Sequence, residues 1–149
     1  MAIDFQQALR AMRKATFEKT PQWTLGQLIE ELSKIEAGDD CWVSFAFGGF
    51  VPTECDSWRG SYAEIAIGYA ELEWDSRPML KAFSQHLRDC VGKEFTGYKG
   101  GEITMDESTP VWVANYGRSG ETGVVGLATE IGADGKAYRV YIRTDYCEF

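Results

Sequence analysis

The run from Gly123 to Thr144 constrains the fold more than any other stretch of this chain. Tyr138, Val140 and Ile142 alternate with Arg139, Tyr141 and Arg143. A period of two places alternate side chains on opposite faces only if the segment is an extended strand. Just before it, Ala133-Asp134-Gly135 carries the residue types of a tight reversal. Gly123–Ile131 and Lys136–Thr144 are therefore expected to pair as an antiparallel hairpin, with one apolar and one basic face on the last strand. A hairpin alone is marginal in water, so its apolar face demands further strands or helices.

Candidates for both are present. CWVSFAF at 41–47 is short and rich in β-formers, and Ala63, Ile65, Ile67 and Tyr69 alternate with Glu64, Ala66 and Gly68. PVWVANY at 110–116 reads as a strand, and 95–104 as β-structure interrupted by glycine. Elsewhere the apolar period becomes helical. Ile3, Phe5, Ala8, Leu9 and Met12 predict a helix over 3–14. Thr24 opens TLGQLIEELSKI, with Gln27 at capping-box spacing, a buried stripe of Leu25, Leu28, Ile29, Leu32 and Ile35, and Gly38 as its stop. Met79, Leu80, Phe83, Leu87 and Val91 line a third helix, capped by Asp75 or Ser76, with Pro78 in its first turn and Gly92 at its end. Residues 48–60, GGFVPTECDSWRG, read as a loop. The expectation is a single α+β domain over 1–149, a mostly antiparallel sheet of about five strands packed with two or three helices on one side.

Composition excludes several classes. Of 149 residues, 44% are hydrophobic and 26% charged, too apolar for a disordered chain. No apolar run approaches the roughly 18 residues that span a bilayer. The start, MAIDFQQALRAMRK, lacks the pattern of a secretion signal, so a cytoplasmic, membrane-free protein is expected. Fifteen basic against 23 acidic side chains leave a net charge of −8. The segment 20–76 is the most lopsided, with Lys34 and Arg59 as its basic residues. Direct binding to DNA, which depends on phosphate neutralisation, is not expected.

Cys41, Cys55, Cys90 and Cys147 are far apart, with no CxxC pair and no flanking histidine, which argues against a zinc site; no metal and no cofactor are expected. Cys41 and Cys90 fall on apolar faces and read as core. Cys55, in the polar loop, could be a nucleophile only with His86, the chain's single histidine, which reads as a surface or partly packed helix residue. The acidic pairs Asp39/Asp40, Glu71/Glu73/Asp75 and Asp106/Glu107 sit at segment ends, where acids cap and solvate. No residue is assigned a catalytic role, and the chain is expected not to be an enzyme.

Three segments carry side chains that a core does not require. In Pro52–Tyr62, Arg59 follows Trp58 and either pairs with Glu54 or Asp56 or serves a ligand. In Thr96–Gly101, glycines flank Tyr98 and Lys99, as in a tight turn or a loop that lets backbone approach an anion. Asn115, Tyr116 and Arg118 stand in a strand connection that could also supply a stacking ring and phosphate contacts. Together these loops suggest a composite pocket for an anionic, partly aromatic ligand such as a nucleotide.

The stretches TLGQLIEELSKI at 24–35, FGGFVPTECDSWRGSYAEIAIGY at 47–69 and FTGYKGGEITMDESTPVWVANYGRSGETGVVGL at 95–127 resemble a family of uncharacterised tailed-phage and prophage proteins. The opening IDFQQALRAM also resembles that of some phage proteins that sequester nucleotide immune signals, over about ten residues. The resemblance implies phage origin; small phage accessory proteins without catalytic signatures are often binders, so action in the host cytoplasm by binding rather than turnover is expected. Two readings follow. In the first, a nucleotide-like anion is captured to counter a host defence signal. Arg59 and Arg118 meet its phosphates, Lys99 adds a charge, Trp58, Tyr62, Tyr98 and Tyr116 offer stacking faces, and Thr53 and Asn115 fix orientation. In the alternative, the acidic segment, with Glu30, Glu31 and Glu36, inhibits a host defence or nucleic-acid-binding protein. Five tryptophans are also compatible with a homo-oligomer.

Overall fold

The structure, a computed structural model, describes residues 22–47, 49–58, 61–96, 102–114 and 122–146, with the backbone alone for 57–58, 61–64, 95–96, 102–103 and 146. The expected helix over 3–14 lies outside the described residues. Among the described residues, eight strands and two α-helices run in the order α1 (Leu25–Ser33), β1 (Ala37–Phe45), β2 (Phe50–Trp58), β3 (Ser61–Glu71), α2 (Leu80–Cys90), β4 (Glu94–Thr96), β5 (Glu102–Thr104), β6 (Val111–Val113), β7 (Thr122–Ile131) and β8 (Ala137–Tyr146). A short 3-10 turn, Trp74–Ser76, precedes α2.

The α+β class stands, and its sheet differs from the expected one. Six strands form a mixed sheet in the order β1-β8-β7-β6-β3-β2, and β4 pairs with β5 in a separate two-stranded sheet. Two of the pairings, β1 with β8 and β3 with β6, are parallel. Alternation within a strand reports which face is buried and says nothing of the neighbour's direction, so these crossovers were not legible. The outermost strands, β1 and β2, touch, so the sheet curls almost into a barrel. Its interior holds Val43, Phe45, Cys55, Ile65, Ile67, Val111, Val124, Val140 and Ile142, and both helices insert leucines into the same core.

The expected hairpin forms between β7 and β8, with Leu127 opposite Ile142 and Gly135 at φ +80° in the turn. The segment 50–58, expected as a loop, is instead β2, paired with β3. Pro52 fits because β2 is a sheet edge and its register shifts between Pro52 and Cys55, so the missing N–H breaks no ladder. The α2 cap also differs. Met79 is the N-cap, without a side-chain bond, and Asp75 and Ser76 belong to the 3-10 turn. Pro78 lies ahead of the helix because its carbonyl accepts from Val43 N at 2.9 Å, docking the segment on β1. Gly38, expected to stop α1, lies in β1, since the helix already ends at Ser33.

The start of α1 shows how the elements lock. Thr24 Oγ1 accepts from Gln27 N at 3.2 Å, and Gln27 Oε1 accepts from Thr24 N at 2.9 Å, completing the expected capping box. The next two N–H groups go to another segment: Leu25 N donates to the Thr109 carbonyl at 2.8 Å and Gly26 N to that of Glu107 at 2.9 Å. Trp23 extends the seam, donating to Val124 O and accepting from Val111 N. Helix N-termini leave such donors without internal partners, and here the turn before β6 supplies them.

The same docking explains Gly26. A Cβ there would lie 2.9 Å from both the Cβ and the carbonyl oxygen of Glu107. Glycine to alanine inside a helix normally stabilises by about 1 kcal/mol. Here the sign inverts: Gly26→Ala should destabilise by about 1–3 kcal/mol through overpacking against backbone. Urea unfolding of the two proteins measures it, and a gain in midpoint would show that the docking is not rigid.

Candidate functional site

Three places bring chemistry-bearing side chains together. The first joins β2 and α2. His86 and Cys90 stand four residues apart on α2, on adjacent turns of one side, and Cys55 reaches them from β2. The donor atoms of Cys55, His86 and Cys90 all lie within 4.8 Å of one another. Cys55 and Cys90 are buried free thiols, and His86 is half-buried. The Cys55 backbone N–H donates to His86 Nε2 at 3.3 Å, so Nε2 carries a lone pair and the ring proton resides on Nδ1.

The thiols also share a hydrogen bond. That contact with Cys90, together with burial, pushes the Cys55 thiol well above its ordinary value. The same bond is the main cause that holds Cys90 below it, opposed by burial and helped by Lys93. Of the two thiols, Cys90 is the one whose surroundings favour the anion. At 1% exposure it is poorly placed to attack an external substrate. The arrangement is instead suited to binding a soft metal ion or forming a disulfide. This corrects two sequence expectations. Cys55 is a buried strand residue rather than a loop residue, and wide spacing did not keep the cysteines apart, because the fold brings 55 to 90. Cys41 is core, as expected.

The second place is the outer face of β1 and β8. Cys41, Val43 and Phe45 face inward, leaving Trp42 and Ser44 outward. The Arg139 guanidinium lies 4.3 Å from the ring centroids of both Trp42 and Tyr141, and its Nε donates to Ser44 Oγ at 3.1 Å. Arg77 lies 3.5 Å over Trp74 and 5.6 Å from Trp42. Rings and cations thus alternate from Trp74 to Tyr141. Arg77 Nε and Nη1 are buried without a hydrogen-bond acceptor, so the ring faces take the role of one. Tyr138 and Tyr141 donate their hydroxyls to Glu130. Sequence reasoning found the basic face of β8 and missed the tryptophans that stack on it; the outward position of Trp42 in the alternation of CWVSF was the available signal.

The third is a shallow cleft of about 380 Å³ between α1 and β7. Trp23, Lys34 and Ile35 form one wall, and Val125–Thr129 with Arg143 the other. Lys34 is held by Glu31 at 2.9 Å and Glu30 at 3.6 Å. Arg143 lies over Gly126, its Nη1 only 3.4 Å from where a Cβ would stand, and makes no ion pair with a described residue.

Of the residues read from the sequence as ligand contacts, Thr53 is an exposed position on β2. Trp58 and Tyr62 are placed by backbone only, at the facing ends of β2 and β3. Arg59, Tyr98, Lys99, Asn115, Tyr116 and Arg118 lie outside the described residues. The strands that carry these loops set one constraint. Ser61, which follows Arg59 and Gly60 in the chain, starts β3, whereas Ala114, which precedes Asn115, bonds through its N–H to Ile67 O. Their anchors are about 20 Å apart along β3. No family model, no curated protein and no solved structure matches this chain. No helix among the described residues is long and apolar enough to cross a membrane.

The Tyr138 hydroxyl first, then that of Tyr141, holds the Glu130 carboxyl below its ordinary value of 4.5. A depressed carboxylate contributes stability that is present above its unfolded value and lost as pH falls through the folded one. Glu130→Gln should therefore lower the urea midpoint at pH 7. The gap to the unaltered protein should narrow below pH 4.5 and close once Glu130 is protonated in both states. A gap unchanged at pH 3 would contradict the role of the ionised carboxylate.

Proposed function

We propose that this protein is a non-catalytic binder of a small anionic ligand carrying an aromatic ring, of the nucleotide class. The observation that carries the reading is the cleft between α1 and β7, lined by Trp23 and by Arg143, which is exposed and has no ion-pair partner among the described residues. Ligand sites are concave and supplied with a few directed polar groups, and this shallow cleft, half apolar and half polar, offers those ingredients. Arg143 presents a planar fork to a phosphate, Trp23 a ring, and Lys34 a second positive charge. The net charge of −8 favours a small anion over a nucleic acid, because a polyanion would meet repulsion beyond the cleft.

In a phage setting, as the resemblance of the chain suggests, such capture would withdraw a nucleotide signal from a host defence in the host cytoplasm. Arg59, Lys99 and Arg118, with Trp58, Tyr62, Tyr98, Tyr116, Thr53 and Asn115, form a second set of contacts within this proposal.

Native mass spectrometry of the purified protein, followed by calorimetric titration with mono-, di- and cyclic nucleotides, tests the reading. A retained or saturably bound phosphorylated compound is expected. Arg143→Ala should weaken it by about 1.5–3 kcal/mol, roughly 10- to 150-fold, the range of a hydrogen bond to a charged group. Arg59→Ala tests the loop set separately, with an expected loss of about 1–3 kcal/mol. A ligand-free mass and no heat with any nucleotide would overturn the proposal; affinity unchanged in Arg143→Ala would remove the cleft from it.

A further inference from the structure

We propose that Cys55, His86 and Cys90 bind one zinc ion through two thiolates and the imidazole Nε2. Three independent features lead there. The first is convergence. An i, i+4 pair on α2 and a strand residue bring their donor atoms within 4.8 Å of one another. Tetrahedral zinc with bonds of about 2.3 Å to sulfur separates two sulfur ligands by about 3.8 Å. Closing the cluster thus requires shifts of about 1 Å or less, within the reach of side-chain rotation.

The second feature is the orientation of His86. A backbone amide can only donate, so the bond from Cys55 N leaves Nε2 unprotonated and directed at the residue that carries the first thiol. At 3.3 Å this bond is long, and a metal would take over the lone pair at little loss. The third is charge. The cluster sits at the edge of the apolar core, where net charge is expensive. Two thiolates and a neutral imidazole exactly balance a divalent ion. Monovalent copper would leave one uncompensated negative charge, and magnesium or calcium would require oxygen ligands. On binding, the two thiol protons leave for solvent, so affinity rises with pH.

Three protein ligands leave a fourth position on zinc, as in sites that bind water or a substrate atom. The ion would also tie β2, an edge strand, to α2. Zinc affinity is then part of the folding free energy of the protein.

The test uses the full chain, reduced and treated with a chelator under anaerobic conditions. Cobalt(II) is titrated in as a spectroscopic probe and then displaced with zinc. The expected result is one equivalent of cobalt, with thiolate charge-transfer bands and the intense visible bands of a tetrahedral site, fully displaced by one equivalent of zinc. Zinc at a hundred times its dissociation constant should raise Tm by about 5–10 °C. Cys55→Ser, Cys90→Ser and His86→Gln should each weaken binding roughly 100-fold or more. Cys41→Ser and Cys147→Ser should leave it unchanged. A reduced chain with all four thiols titratable that takes up no stoichiometric cobalt or zinc would overturn the proposal, and so would a Cys55–Cys90 disulfide whose reduction restores no metal binding. If a ligand variant does not fold, the titration of the unaltered chain and its two control variants still decides the question.

Discussion

The parallel pairing of β1 with β8 is the constraint on which the rest of the structure depends. It joins the first described strand to the last, Val43 to Val140 and Phe45 to Ile142, and so makes β1 the edge that meets β2. Once β8 occupies one edge of β1, the other edge accepts the segment before α2, through the Val43 N–H to the Pro78 carbonyl and the bridge from Trp42 to Met79. That docking fixes where α2 starts. The helix then carries His86 and Cys90 to β2, and Cys55 meets them there. The same pairing sets Trp42 beside Arg139, because neighbours in register share a face. One long-range contact therefore positions both the thiol cluster and the alternating stack of rings and guanidinium groups. Pairing of this kind forms late and slowly, since a long loop must close before it is rewarded.

What could be read from the sequence follows the range of the interaction that decides it. The capping box at Thr24 and Gln27, the β7–β8 hairpin and the apolar stripe of α2 depend on neighbours a few residues away, and all three are present. The β2 strand was missed because Pro52, Asp56 and Ser57 are turn-formers locally, while the ladder to β3 outweighs them. The α2 cap was missed because Pro78 answers to β1, which is remote in sequence. The thiol cluster shows the limit most clearly. Cys55 and His86 stood out as a candidate pair, but Cys90 was indistinguishable from a core cysteine until β2 and α2 were placed together. Arg143 was legible only as part of a basic face; that Gly126 lets it lie flat beside a cleft depends on the β7–β8 register.

The outer stack and the cleft divide the cationic side chains of β8 between structure and binding. Arg139 is committed: two ring faces, Ser44 and the nearby Glu130 carboxylate hold it. Exchanging any of these for a ligand would require breaking contacts worth about 0.5–2 kcal/mol each. Arg143, four residues further along on the same face, has no such partners among the described residues and keeps its full capacity for an anion. Alternation thus places both cations outward, and only the neighbours decide which of them is available.

Arg143 shares the cleft with Lys34, which is already held by Glu30 and Glu31. At physiological ionic strength charges interact over about 8 Å, so a small anion in the cleft meets Arg143 strongly and the acidic remainder of the surface weakly. A longer polyanion would extend past that distance and be repelled. Under the proposed reading, an arginine with no ion-pair partner among the described residues, set in a cleft of an acidic chain, would select anions by size as well as by charge.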